Sequence, residues 1–174
     1  MGSFEAAFRR RLAPESRDRF DALFKKREVV TESISNGSSA HTIRFGATID
    51  GIETQREISR RVFLDFVWPA AVFLRVCALD SEQRFVVGVS GAGGSGKSVI
   101  CSLLAATVNA LGNKDNMCAV LGMDGYHYPN SYLDTHNIPG SDPKAALRSI
   151  KGRPETFDAT QLACDVASLS KGTC

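Results

Sequence analysis

Eight consecutive residues, Gly91-Ala92-Gly93-Gly94-Ser95-Gly96-Lys97-Ser98, match the pattern G-x-x-x-x-G-K-[ST] in full. The chemistry of that spacing is anion binding. Glycines let successive backbone N–H groups turn inward around a polyphosphate without side-chain obstruction. A helix starting at the end of the bend adds its partial positive charge. Lys97 supplies a full charge for the β and γ phosphates, and the Ser98 hydroxyl is a suitable magnesium ligand, so the implied ligands are a nucleoside triphosphate and Mg. The same stretch satisfies G-x-G-x-x-G through Gly91, Gly93 and Gly96, the weaker dinucleotide pattern, which leaves Lys97 and Ser98 unexplained. A glycine loop with no ligand is the remaining alternative.

A second group follows at Met123-Asp124-Gly125-Tyr126-His127-Tyr128-Pro129-Asn130. Asp124 is placed to take a proton from an attacking hydroxyl, to orient it, or to hold a magnesium-bound water. Its alternative is a turn cap with Gly125. Tyr126 and His127 could line an acceptor pocket, although a lone histidine in a turn is more often structural. Further on, Lys151-Gly152-Arg153-Pro154-Glu155-Thr156-Phe157-Asp158 leads into a last helix. Asp158 with Gln161 forms a capping box and Phe157 with Leu162 a hydrophobic staple, while Leu162, Val166 and Leu169 mark the buried face. Lys151 and Arg153 are left as cations for phosphates or an anionic acceptor, or as a solvated turn.

The elements that must position these residues follow from periodicity. Phe85 to Val89 is a short continuous apolar run, the pattern of a strand buried on both faces. Ile100, Leu103, Leu104, Val108 and Leu111 recur at helical intervals, with Gly112-Asn113 as a stop. Met117 to Met123 is a second apolar run. A strand, helix, strand unit with a right-handed parallel crossover is expected, and it places the glycine bend and Asp124 at one sheet edge. Residues 1–80 read differently. Two short amphipathic helices lie between Phe4 and Arg27, broken at Pro14. A polar linker at Ser33–Ala40 precedes extended structure at His41–Ile49, and Asp50-Gly51 suggests a small hairpin. From Glu53 to Trp68 the spacing is again helical, until Pro69 stops or bends it.

Composition bounds the partners. The chain has 174 residues, 43% of them hydrophobic and 23% charged, which suits a globular protein. Its 21 Lys and Arg against 19 Asp and Glu give no basic excess for nucleic acid. The stretch Val62–Leu79 is broken by Asp65, Pro69 and Arg75, so it reads as core and no membrane partner is expected. Five scattered cysteines read as reduced thiols and, with no signal sequence in view, the expected location is cytoplasmic. A homo-oligomer is left open.

The cradle, the Asp124 segment and the Lys151–Asp158 segment, in that order, resemble the small-molecule kinases grouped with uridine kinase, phosphoribulokinase and type I pantothenate kinase, over about residues 84–170. The Asp-Gly-aromatic and Lys-Gly-x-Pro-Glu-x-aromatic-Asp elements look most like pantothenate kinases and nearby nucleoside or sugar kinase-like proteins. The resemblance implies an α/β P-loop NTPase-type parallel sheet with flanking helices at 81–174, preceded by a mostly helical region at 1–80. It also implies transfer of the ATP γ-phosphoryl group to a hydroxyl of a small-molecule acceptor. Asp124 matches the family's catalytic carboxylate, and Lys97 and Ser98 match its phosphate and magnesium contacts. Such kinases continue into further parallel strands and a cationic lid, so the stretch ending at Cys174 reads as an incomplete, truncated core. An enzyme without those parts should lose much of its rate. The other reading is an ATP-binding regulatory module or pseudokinase. A GTPase is disfavoured, because Asn113-Lys114-Asp115 has neither the spacing nor the placement of a base-reading segment.

Overall fold

A computed structural model describes residues 3–37, 39–49, 52–112, 118–141 and 143–171. The chain divides into two compact units, Met1–Val120 and Leu121–Cys174. The expected turn at Asp50-Gly51, the stop at Asn113, the segment Asn113-Lys114-Asp115, the start of the run at Met117 and the terminus at Cys174 lie outside the described residues.

In the first unit, α1 (Ser3–Arg11) and α2 (Pro14–Phe24) flank the break at Pro14, as expected, and α3 (Arg27–Ile34) is a further helix that runs into the supposed linker. Pro14 occupies the start of α2, where its missing N–H costs nothing. Strand β1 (Thr42–Ile49) buries Ile43, Phe45 and Ala47 and turns Arg44, Gly46 and Thr48 outward, the alternation of a half-buried strand. It pairs antiparallel with β2 (Ile52–Ser59), in a register running from Thr42↔Ser59 to Ile49↔Ile52. The helical reading of Glu53–Trp68 is therefore corrected. Its first seven residues are strand, because pairing with β1 satisfies their backbone groups, and helix begins only at Arg60, whose N–H donates to the His41 carbonyl at 2.8 Å.

From there one helix runs Arg60–Asp80, as α4 (Arg60–Val62), a π turn (Phe63–Val67) and α5 (Trp68–Asp80). Pro69 neither stops nor breaks it. Proline has no N–H for the bond to residue 65 and its ring crowds that carbonyl. The helix widens one turn earlier, and the Trp68 N–H reaches back five residues to the Phe63 carbonyl. By length and composition this helix is apolar enough to cross a membrane, a property shared by buried core helices. Here Phe63, Val67, Trp68, Ala71, Val72 and Val76 are fully buried and form the spine of the core, with Phe20, Val30, Ile43, Phe45, Leu103 and Val108 packed in the same cluster. Helix α6 (Lys97–Leu111) packs on α5, α3 and β1.

Polar ties fix the helix ends. Ser16 donates to Asp80 at 2.6 Å, Arg19 pairs with Asp80, and Arg9 grips both oxygens of Asp21 at 2.7 Å. The Arg9 hydrogen bonds hold the Asp21 carboxyl below the usual carboxylate range. Ionised Asp21 is thus favoured by the fold, so its contribution is present above the ordinary aspartate pKa and is lost as pH falls through the lowered folded value. Asp21→Asn should remove that share of acid sensitivity. Wild type and variant should differ by about 0.2–1 kcal/mol at pH 7, the range of an exposed pair, and converge once pH falls below the lowered folded value. Parallel melting curves at every pH would contradict this.

No parallel ladder forms among the described residues, whose one sheet is β1–β2. Phe85–Val89 and the described part of the second run, from Cys118, have no strand assignment. Phe85, Val86, Val87 and Val89 are each about 45% exposed, odd and even positions alike. Apolar sequence favours extended chain, but a strand exists only through bonds to a neighbour. The Cys118 backbone is instead held by Asn109, whose side-chain amide donates to its carbonyl at 3.0 Å and accepts its N–H at 2.8 Å.

In the second unit, a 3-10 turn (Met123–Tyr126) leads to α7 (Asn130–Thr135), two further 3-10 turns (Leu147–Ile150 and Pro154–Thr156) and α8 (Ala159–Lys171). Leu133 and Leu147 are its buried hydrophobic side chains among the described residues. The turn before α8 is closed by Thr156, fully buried, whose hydroxyl donates to the Arg153 carbonyl at 2.7 Å and accepts the Gly152 N–H at 3.1 Å. Gly152 sits at φ 103°, which an L side chain rarely adopts. Thr156→Val keeps the shape and removes both bonds. It should destabilise this unit by about 1–3 kcal/mol, read as a lower denaturation midpoint, and an unchanged midpoint would show the hydroxyl to be dispensable.

Candidate functional site

The glycine bend runs from Gly91 to Gly96 and feeds directly into α6, whose first residue is Lys97. Gly94 and Gly96 lie at φ 72° and 81°, the left-handed region that only glycine enters cheaply. At Gly91 a Cβ would meet Ser95 Oγ at 3.3 Å and the Lys97 side chain at 3.6 Å, so this position too is closely packed. The Ser95 N–H donates to the Ala92 carbonyl at 3.3 Å, which tightens the bend, and the Ile100 N–H bonds the Gly96 carbonyl at 3.0 Å, which starts the helix. The first-turn amides of α6, with no intrahelical acceptor, are left for an external one. Lys97 Nζ donates to the carbonyls of Gly91 at 2.9 Å and Ala92 at 2.8 Å, so the ammonium lies over its own loop. Ala92, Gly93 and Ser98 are exposed at this bend.

This donor set fits a polyphosphate: amides at a helix start, positive-φ glycines and one ammonium whose present acceptors are neutral carbonyls. For magnesium the bend offers one hydroxyl, that of Ser98. Such an ion takes most of its ligands from phosphate oxygens and water. No group of three His, Cys, Asp or Glu with metal-binding proximity occurs among the described residues.

The other candidate residues belong to the second unit. Asp124 lies in the 3-10 turn with its side chain 78% exposed. Its carboxylate accepts no hydrogen bond among the described residues, so the turn-cap alternative finds no bond to support it; the backbone carbonyl of Asp124, not its side chain, accepts the His127 N–H at 3.3 Å. His127 Nδ1 lies 3.8 Å from Asp124 Oδ1. His127 itself is partly buried, its ring tilted 35° against Phe157 with centroids 3.7 Å apart. Tyr126 donates its phenol proton to Asp165 Oδ2 at 2.8 Å, and that bond raises its pKa above the ordinary tyrosine value. Lys151 Nζ donates to Asn130 Oδ1 at 3.0 Å and is otherwise exposed.

Two sequence segments thirty residues apart are brought together here. The Tyr128 N–H donates to the Thr156 carbonyl at 3.0 Å and the Asp158 N–H to the Tyr126 carbonyl at 2.8 Å, with His127 opposite Phe157 in an antiparallel bridge. The Asp124 segment and the Pro154–Asp158 segment therefore form one frame, while the cradle belongs to the other unit. Asp158 caps α8 as expected, accepting the Gln161 N–H at 2.9 Å. The capping box is only half made, because the Gln161 amide turns to Asp165 Oδ1 at 2.7 Å. Phe157 is spent on His127, and α8 has no fully buried residue. Sequence reasoning missed Asp165, Asn130 and Thr156. Only Asp165 carried a signal, lying four residues after Gln161 on the same helix face.

The thiols are not part of this chemistry. Cys77, Cys101, Cys118 and Cys164 are free, and burial raises the first three above the ordinary thiol pKa.

No protein-family profile matches the chain, and no solved structure does. Two curated proteins share part of it. One, from Schizosaccharomyces pombe, bears the name "Putative uridine kinase C227.14" and is 36% identical over 81 residues, 47% of this chain and 32% of that protein. The other, the "Uncharacterized protein YggC" of Escherichia coli, is 28% identical over 131 residues, 73% of this chain and 50% of that protein. The chain thus spans between a third and a half of the length of these relatives. The partial match to a protein named as a uridine kinase points, at this coarse level, to a kinase-like chain.

Proposed function

We propose that this chain carries the nucleotide-binding part of an ATP-dependent kinase that phosphorylates a hydroxyl of a small metabolite, a nucleoside, pantothenate-like compound or sugar. The observation that carries this reading is the Lys97 ammonium held 2.8–2.9 Å from two carbonyls of a positive-φ glycine bend at the start of α6. In the proposed reaction Lys97 and the α6 amides neutralise the β and γ phosphates, and Ser98 helps hold magnesium, which supplies Lewis-acid charge when bound. Asp124, unpaired by any hydrogen bond to its carboxylate, orients the acceptor hydroxyl and takes its proton as the new P–O bond forms and ADP leaves. The apolar runs at Phe85–Val89 and Met117–Met123 serve as strands of a parallel sheet on this reading. The exposure of Phe85–Val89 along both faces is what an unpaired core strand would show.

The test is acceptor-dependent ADP release from MgATP with a panel of uridine and other nucleosides, pantothenate and sugars. One acceptor class should raise ADP production well above the acceptor-free rate. ATP binding without turnover for any acceptor would replace the kinase by the regulatory-module reading.

A further inference from the structure

We infer that His127 is a positioning residue for Asp124, an inference that rests on the kinase reading above and assigns a further working part to the same site. The frame around His127 is fixed on both sides, by the Tyr128 N–H bond to Thr156 at 3.0 Å and the Asp158 N–H bond to Tyr126 at 2.8 Å. Its side chain is only 13% exposed and lies against the Phe157 ring. From that seat Nδ1 approaches the Asp124 backbone carbonyl at 3.1 Å. A carbonyl can only accept, so Nδ1 is the donor and carries the proton. The backbone N–H of the same residue donates to the same carbonyl at 3.3 Å. Two donors of one partly buried residue therefore hold one carbonyl, and the turn that presents the Asp124 carboxylate cannot rotate without losing both. Nδ1 also lies 3.8 Å from Asp124 Oδ1, beyond hydrogen-bond range yet near enough to bias the carboxylate toward one rotamer. An exposed carboxylate with no hydrogen bond of its own gains its orientation from this clip. Orientation of a reacting group is worth large factors in rate, so loss of the clip should be felt in turnover rather than in ATP binding.

Two variants separate positioning from packing. His127→Phe keeps the ring against Phe157 and deletes the donor. His127→Asn keeps a donor near the Nδ1 position and gives up most of the ring. With MgATP and the acceptor that turns over in the panel, His127→Phe should lower kcat by roughly tenfold or more with the KM for ATP within about twofold, and His127→Asn should recover kcat to within about threefold of wild type. A fully active His127→Phe beside an impaired His127→Asn would make the role one of packing and overturn the inference. Amide hydrogen exchange provides a readout that needs no acceptor: the His127 N–H should exchange about tenfold faster in His127→Phe than in His127→Asn, with the Tyr128 and Asp158 amides unchanged as controls. Equal exchange at His127 in both variants would also overturn it. ATP binding without ADP release for any acceptor would instead bring down the kinase reading and leave the exchange result to decide whether the clip exists.

Discussion

Lys97→Ala is expected to weaken MgATP binding by about 100-fold or more, measured by calorimetry, with little change in the melting temperature. The ammonium makes two hydrogen bonds, to the carbonyls of Gly91 and Ala92. Both acceptors lie in an exposed bend, so water replaces the lost donor and the fold loses little. A phosphate oxygen is a stronger acceptor than a neutral carbonyl, and each charge-assisted hydrogen bond is worth about 1.5–3 kcal/mol. Exchange of the carbonyls for phosphate is therefore downhill, and its removal costs one or two such bonds together with the positive charge. The glycines and the α6 amides remain in the variant, so weak residual binding should persist. Unchanged ATP affinity would remove the cradle from the account, and with it the reason to expect phosphoryl transfer.

Asp124→Asn should spare ATP binding and reduce kcat by roughly 100- to 10,000-fold, the range over which a positioned general base contributes. The substitution is nearly isosteric and leaves the turn intact, because the bonds that hold the turn go to the backbone carbonyl of residue 124. What it removes is basicity. An amide oxygen can still accept a hydrogen bond from the acceptor hydroxyl but cannot take its proton. The pair of variants thus divides the site by function: Lys97→Ala should act on ATP affinity and Asp124→Asn on turnover at saturating ATP. Wild-type turnover in Asp124→Asn would reduce the carboxylate to a feature of the turn.

The features legible in the sequence are those whose determinants lie within a few residues of one another. The glycine bend, the start of α6 at Lys97, the break between α1 and α2 at Pro14 and the Asp158 cap of α8 each depend on one residue's φ preference, missing N–H or short side chain acting on its neighbours. Tertiary structure decided the rest. Residues 52–59 carry some helical spacing yet form β2, because the ladder to β1 satisfies a whole row of backbone groups at once. Phe85–Val89 carries the pattern of a strand yet has no ladder partner among the described residues, because a ladder needs a neighbour that no local pattern can supply. Pro69 sits inside a continuous helix, because the bend it demands is absorbed by a π turn in a segment buried on several sides. The placing of His127 against Phe157, and of Tyr126 on Asp165, joins residues thirty or more positions apart. Local sequence chose which groups can do chemistry. Their orientation was set by contacts between distant segments, since a side chain's rotamer follows what packs and bonds against it after the chain has closed.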